Sequence, residues 1–309
     1  MRALRSVGLR TTALADSAGF YSEVWGLRAT DSDVTGDAGA VWLRGTGPEH
    51  HVLQLVGAEQ NGLEKIAFAV ATPAEIDEAA RRLEARGVPV VAGPGPLDDA
   101  GGGYGLRLVD PEGRLVELSA NTFAVTPEDP DGRPALPRKL AHVVLNTVDI
   151  DAACSFYTSV LGMRISDWSE HQMAFLRCNS DHHVIAFNQA PWTSVNHVAY
   201  EMGSIDHFMR GVGRLRHHGR TPLWGPGRHG PGNNTFSYFA DPAGLVCEYT
   251  SEVEQVVEDA WLCRVWRRTP ELSDLWGTAG PPSTDVRSHM AGVPDLGYFA
   301  RQEPAAVTR

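Results

Sequence analysis

Ala153-Cys154-Ser155-Phe156-Tyr157-Thr158-Ser159-Val160-Leu161-Gly162-Met163-Arg164 has an earlier version in the same chain, Ser17-Ala18-Gly19-Phe20-Tyr21-Ser22-Glu23-Val24-Trp25-Gly26-Leu27-Arg28. The Phe-Tyr pair, the valine and the glycine recur at the same spacing. Working outward, Glu49-His50-His51-Val52 answers Asp181-His182-His183-Val184, and Lys65-Ile66-Ala67-Phe68 answers His197-Val198-Ala199-Tyr200. Asp110-Pro111-Glu112-Gly113 answers Asp241-Pro242-Ala243-Gly244, and Glu117 answers Glu248. The separation drifts only from 136 residues at the first pair to 131 at the last. A period this long is a duplicated domain, since solenoid units repeat every 20–50 residues or so.

Each copy reads as strand, helix, strands, helix, strands. In the second, Leu140 to Thr147 is a β-branched run, and Asp149 or Asp151 can cap a helix with Ala152, Phe156, Val160 and Leu161 on one stripe, ended by Gly162. Strands are expected near Met173 to Cys178, Val184 to Asn188 and His197 to Glu201. A second helix should start at Ser204, bury Ile205, Phe208, Val212 and Leu215, and stop at Gly219. Its counterpart in the first copy carries a capping box, Thr72 with Glu75, and Pro73 at the first helical position. Pro-rich sequence between Thr126 and Pro137 marks a linker. The division is therefore 1–125 for the first domain, 126–138 for the linker, 139–255 for the second domain and 256–309 for an irregular tail or lid. The tail holds Trp261, Trp266 and Trp276, which are expected to pack on the scaffold.

Composition sets the class. In 309 residues, 42% are hydrophobic and 21% charged, enough for a sizeable core, while 32 Gly and 20 Pro imply many turns between short sheet elements. A formal net charge of −11 with no Lys/Arg cluster argues against nucleic acid and for small molecules as partners. No apolar run approaches the roughly 20 residues that span a bilayer, and arginines break the N-terminal stretch, so a cytoplasmic protein is expected. Cys154, Cys178, Cys247 and Cys263 form no CxxC pair, which points to reduced thiols.

The chemistry is concentrated in the second copy. Strand alternation turns His142, His197 and Glu248 toward one cavity from three strands, and Cys247 away from it. Two imidazoles and a carboxylate on one face of a cation leave coordination positions open, which suits Fe(II) or Mn(II) better than the closed tetrahedral site of structural zinc. A lone His or Glu on a strand is usually a hydrogen-bonded core residue. Three at matching repeat positions reverse that reading. The first copy is an internal control: Ser6, Lys65 and Glu117 stand where the ligands stand in the second, so one metal site is expected, with Glu117 structural and paired to Lys65. His50 and His51 read as relics of duplication.

With these residues the chain resembles the type I extradiol ring-cleaving dioxygenases of the vicinal oxygen chelate superfamily, of the two-domain 2,3-dihydroxybiphenyl and catechol 2,3-dioxygenase kind. The likeness covers roughly residues 1 to 255, and its specific part is the second copy. It implies an α+β fold of two tandem domains, each a pair of βαβββ modules forming a curved mixed sheet around a cleft. It makes His142, His197 and Glu248 the metal ligands and His183, His229 and Tyr238 the catalytic residues, the tyrosine nine residues after His229 and ten before Glu248.

The implied reaction opens a catechol with O2 on Fe(II), or on Mn(II), to a muconic semialdehyde-type acid. His183 would act as acid, and Tyr238 with His229 would hydrogen-bond the substrate oxygen. Trp192, Trp224, Met173 and Phe187 are expected to line a pocket for an aryl- or alkyl-substituted, or fused, catechol. His182 is expected to face away, as a structural or exposed residue. His171, His207, His217 and His218 are set aside, and Arg228 would either orient His229 or meet an anionic substrate group. Two other readings stay open: an O2-independent metal-dependent isomerase, hydrolase or transferase, and a metal-free aromatic-binding protein. A homo-oligomer is expected.

Overall fold

Leu140, Ala141, Val143, Val144 and Leu145 put apolar side chains on both faces of the run from Leu140 to Thr147, as suits a strand covered on both sides. In the computed structural model it is the centre of a nine-stranded sheet. The structure describes residues 1–30, 39–128 and 135–302; the middle of the expected linker, 129–134, and the chain end, 303–309, lie outside the described residues.

The second copy's sheet runs, edge to edge, Trp224–Arg228, Thr235–Ala240, Val246–Ser251, Ser194–Met202, Pro137–Thr147, Ile185–Gln189, Met173–Arg177, Arg164–Ser169 and Arg264–Trp266. The first copy has the same order without the last strand: Val90–Pro96, Tyr104–Val109, Leu115–Ala120, Gly62–Ala69, Ala3–Thr11, Leu53–Gly57, Ala40–Arg44 and Arg28–Ala29. In each, the first and last strands of a βαβββ module pair in parallel, and the two modules meet antiparallel along their first strands. The α+β architecture of paired modules is thus present twice.

The helices follow their caps. Thr72 accepts from Glu75 N, while Glu75 reaches back to Ala71 N, one residue short of the reciprocal partner that a capping box uses. Asp149 caps Ile150–Ser159 through Ala152 N. That helix buries Ile150, Ala153, Cys154 and Tyr157, whereas Ala152 is exposed, because a one-residue shift rotates a side chain by about 100° around the helix axis. In Ile205–His217, Phe208, Val212 and Leu215 are buried as expected, but Ile205 on the opening turn is 38% exposed. The glycine of the repeat is explained by backbone conformation: Gly26 and Gly162 adopt φ of +95° and +76° where each first helical segment ends.

The two copies share one hydrophobic core. Trp25 of the first stacks on Tyr249 of the second with ring centroids 3.8 Å apart. The exchange is reciprocal. Ser17 donates to Asp241 at 3.1 Å, and Tyr157 donates to Asp110 at 3.2 Å, so each copy's first helical segment packs on the other's Asp-Pro turn. The tail is more regular than expected. It adds strand Arg264–Trp266 to the second sheet and lays helix Thr284–Ala291 against Ser194–Met202. Among the described residues no helix is long and apolar enough to cross a membrane.

Candidate metal centre

Register places the central residues. Ala199 pairs with His142 on one side and Glu248 on the other, and Glu248 pairs with Tyr238, so one row across the sheet carries four positions of the site. His197, two residues before Ala199, lies on the same face. The small Ala199 side chain leaves space over which the longer ones converge. His142 Nε2 and His197 Nε2 lie 3.1 and 3.2 Å from the same oxygen, Glu248 Oε2. The three potential ligand atoms all fall within 4.8 Å of one another, and all three residues are buried.

The remaining sequence-predicted residues surround this triad. His183, 4% exposed, stands just before strand Ile185–Gln189 with its ring 4.3 Å from that of His142. Tyr238 packs edge-on to His197 at 5.0 Å, and its hydroxyl lies 2.9 Å from His229 Nε2. His229 stacks on Phe236 at 4.0 Å and donates from Nδ1 to Ser273 O at 2.9 Å. Gly232 makes room for His183. It adopts φ +75°, and a Cβ there would stand 3.0 Å from His183 Cε1.

Burial dictates the charges. Burial favours the neutral form of Glu248, but the His142 and His197 imidazoles outweigh it and bring the carboxyl down to about 2. Burial pushes His197 below the usual imidazole value, against the pull of Glu248. His229 falls to about 4 by burial, with Glu248 opposing, and His183 falls well below 6.5, first by burial and then through the neighbouring imidazoles. Burial, reinforced by Glu248, holds the Tyr238 phenol well above its ordinary value. The cup therefore presents His183, His197 and His229 as neutral imidazoles beside a phenol and one ionised carboxylate.

This arrangement fits a divalent cation. His197 Nδ1 faces Asn196 Oδ1 at 2.8 Å, an acceptor that requires hydrogen on Nδ1 and leaves the Nε2 lone pair directed at Glu248. A lone pair opposing a carboxylate oxygen is repulsive unless a cation lies between them. Glu248 Oε1 and His142 Nδ1 are buried with no hydrogen-bond partner among the described residues. Two neutral imidazoles plus a carboxylate on one side is the donor set of Fe(II) and Mn(II) sites with open positions.

Several expectations change. Phe187 lies in the main core, edge-on to Tyr157 at 4.9 Å, because alternation turns Ala186 rather than Phe187 toward the metal face. Ala186 clusters there with Val144, Phe175 and Met173, and Phe175 meets the His183 ring. Trp224 stacks on Tyr238 as a pocket wall, but Trp192 is 37% exposed and donates to Ala291 O. Arg228 takes neither expected role: it binds Asn233 and Glu252. His182, expected to be structural or exposed, is the former: it is fully buried between His183 and Asp167. Asp167, Asn146 and Phe175 escaped sequence reasoning. Only Asn196, adjacent to His197, carried a local signal.

Comparison with known proteins now has a structural frame. The profile of the Glyoxalase/Bleomycin resistance protein/Dioxygenase superfamily matches residues 3–118 and 139–249. Metapyrocatechase 2 of Cupriavidus necator is 30% identical over 202 residues, which span 59% of this chain and 62% of that protein, less than two thirds of its length. Biphenyl-2,3-diol 1,2-dioxygenase of Paraburkholderia xenovorans is 26% identical over 286 residues, 84% of this chain and 91% of that one. The crystal structure of a Mn(II)-bound glyoxalase from Novosphingobium aromaticivorans is 40% identical with a TM-score of 0.84, covering 92% of this chain and 93% of that one.

Proposed function

The chain belongs to the Glyoxalase/Bleomycin resistance protein/Dioxygenase superfamily, and we propose that within it the protein is an Fe(II)-dependent extradiol dioxygenase. It would open the ring of a substituted or multi-ring catechol with O2 to a muconic semialdehyde-type product, with Mn(II) as the alternative metal. The observation that carries this reading is the company around the triad: His183, His229 and Tyr238 all face it, and burial holds all three neutral at pH 7. Relatives named 3-methylcatechol 2,3-dioxygenase and biphenyl-2,3-diol 1,2-dioxygenase support it, as do one named as an iron-dependent extradiol dioxygenase and one as a manganese-dependent 2,3-dihydroxybiphenyl 1,2-dioxygenase.

In this reading His142, His197 and Glu248 hold the metal, in the domain assigned to 139–255. When bound, Fe(II) would supply a common site for both reactants and a path for electrons between them. The protein does the rest. Neutral His183 has a ring nitrogen, Nε2, free to take a proton from a substrate hydroxyl and return it to the opening ring. The Tyr238 phenol stays protonated, and its single hydrogen, held by His229 Nε2, would turn to the substrate oxygen on which charge develops. Trp224, parallel to Tyr238 within 11°, offers a flat wall for an aromatic ring, while Phe175, Val144 and Ala186 keep water away.

The domain assigned to 1–125 is scaffold in this proposal, and the described residues of the tail assigned to 256–309 pack along the second sheet. A cytoplasmic location and a homo-oligomer belong to the same proposal. Exposed Leu262 and Val265 lie at the open sheet edge formed by Arg264–Trp266, a surface that a second copy would cover. A second reading, an O2-independent metal-dependent isomerase, hydrolase or transferase, is favoured by the 40% identity to a Mn(II)-bound glyoxalase. One experiment separates them. Protein loaded anaerobically with Fe(II) is given 2,3-dihydroxybiphenyl and 3-methylcatechol in air, and O2 uptake with a yellow ring-fission product is expected. No O2 uptake over a broad catechol panel, together with anaerobic turnover of a hemithioacetal, would establish the second reading instead.

A further inference from the structure

Three of the four histidines around the cup are hydrogen-bonded on the ring nitrogen that points away from it. Each bond traces back to the tail, which has no counterpart in the first copy. Backbone carbonyls and ionised carboxylates only accept, and that fact fixes the polarity of each chain of bonds.

The first chain ends at His197. Asn146 Nδ2 lies 2.8 Å from Met290 O and 3.3 Å from Ala291 O, so its NH2 end faces the tail helix and its Oδ1 faces inward. That Oδ1 accepts from Asn188 Nδ2 at 2.9 Å and Asn196 Nδ2 at 3.0 Å. With its NH2 so engaged, Asn196 turns Oδ1 to His197 Nδ1 at 2.8 Å, and that nitrogen must carry the hydrogen. The second chain is one step long: Ser273 O, 2.9 Å from His229 Nδ1, puts the hydrogen there and leaves Nε2 to accept from Tyr238.

The third chain runs through a carboxylate. Arg264 N and Trp266 Nε1 donate to the two oxygens of Asp167 at 2.8 and 2.6 Å. Burial works to raise Asp167, but these donors and His182 hold it below its usual value, so it can only accept. His182 Nε2 lies 3.1 Å from Asp167 Oδ2, off the line of an ideal hydrogen bond but with no competing partner among the described residues. In the Nε2–H tautomer His182 accepts at Nδ1, and the contact of 3.1 Å to His183 Nδ1 then requires hydrogen on His183 Nδ1.

We propose that the C-terminal tail is a tautomer-setting strap. Through Met290 and Ala291, through Ser273, and through Arg264 with Trp266, it holds His197, His229 and His183 with hydrogen on Nδ1 and a lone pair on Nε2, that of His229 facing the Tyr238 hydroxyl. Asp167, His182, Asn146 and Asn196 are its positioning residues. His142 is the internal contrast: its buried Nδ1 has no partner among the described residues, and the tail does not reach it. The proposal rests on the metal-centre reading for its purpose, since a ligand or base needs the lone pair on the inward nitrogen, but not for its detection.

The test uses the full-length, metal-free chain with 15N-labelled histidine, each ring assigned by single substitution. Long-range 1H–15N correlation spectra at neutral pH should show the Nδ1–H tautomer for His183, His197 and His229. Asp167→Asn turns an amide donor toward His182 and should invert His183 to Nε2–H while leaving His197 and His229 as they are. Trp266→Phe is the milder variant of the same arm. Asn146→Leu should release His197 into a mixture and weaken Mn(II) binding by about 10–100-fold. A wild-type Nε2–H tautomer at any of the three, or lost metal affinity in Asn146→Leu with an unchanged His197 tautomer, would overturn the strap. Should the three tautomers hold in a chain that binds no divalent metal, the strap stands and the metal-centre reading falls.

Discussion

Glu117 and Glu248 occupy the same place in the two copies, each fully buried in the same row across its sheet, and they are neutralised by different means. Glu248 faces two imidazoles whose inward nitrogens are set up to share a cation. Glu117 already has its cations: Arg5 Nη2 at 2.5 Å, Lys65 Nζ at 3.1 Å and Arg107 Nε at 3.0 Å, with Asp99 bridging Lys65 and Arg107. Burial pushes the Lys65 amine down to about 8 despite Glu117, because two guanidiniums compete with it for one carboxylate. A buried carboxylate must be paired, and duplication left two solutions in one molecule, one of which keeps an open face for chemistry.

The same substitution in both copies tests this contrast at its widest. Glu248→Gln should cut metal affinity by more than about 100-fold, beyond the range seen when only an outer-shell partner is lost, and abolish turnover. Glu117→Gln should leave one metal per chain and normal turnover but cost stability, on the order of 3–5 kcal/mol, because buried Arg5 loses its carboxylate while Lys65 and Arg107 are left to share Asp99. Metal analysis and denaturant titration read the two outcomes. The pH dependence follows the same carboxylate. Burial raises Glu117, yet Lys65, Arg5 and Arg107 bring it from 4.5 in the unfolded chain to about 2 in the folded one. Its stabilisation is therefore complete above the unfolded value and is lost as pH falls toward 2, a loss that Glu117→Gln should remove from the acid-unfolding curve.

The histidine pairs sharpen the comparison further. His50 and His51 keep the facing Nδ1 geometry of His182 and His183, at 3.2 against 3.1 Å, without a metal triad beside them. His183→Ala should slow turnover by about 10²–10⁴-fold, the usual range for a positioned acid or base, with metal content unchanged. His51→Ala should leave turnover within experimental error. The smallest effect is a null one. Installing the missing imidazoles with Ser6→His and Lys65→His should not bring a second equivalent of metal, because Arg5 and Arg107 still occupy Glu117. Two equivalents per chain would show that ligand identity alone separates the copies.

How far the site could be read in advance depended on distance along the chain. His142, His197 and Glu248 were legible because strand alternation is local and the repeat supplied a control at Ser6, Lys65 and Glu117. Pocket walls were less so: Phe187 and Trp192 are apolar and near in sequence, but a one-residue difference in strand phase, or one bond to Ala291, sends each elsewhere. Asp167 was invisible. Its role depends on Trp266, 99 residues away, and no local pattern marks an aspartate whose partners arrive from the tail.

The amino-acid order by itself determined the duplication, the strand and helix succession, and which copy could ligate a metal, because periodicity and repeat alignment act over a few residues or compare like with like. Tertiary structure alone decided that Arg5 and Arg107 reach Glu117, that each copy's first helical segment crosses to the other copy, and that the tail reaches three imidazoles. Those outcomes rest on hydrogen bonds and ion pairs that no local pattern relates, from Ser17–Asp241, 224 residues apart, and Arg5–Glu117, 112 apart, to His229–Ser273, 44 apart, and Arg107–Glu117, 10 apart. The polarity of such contacts is set by which donor meets which acceptor once the chain has closed on itself.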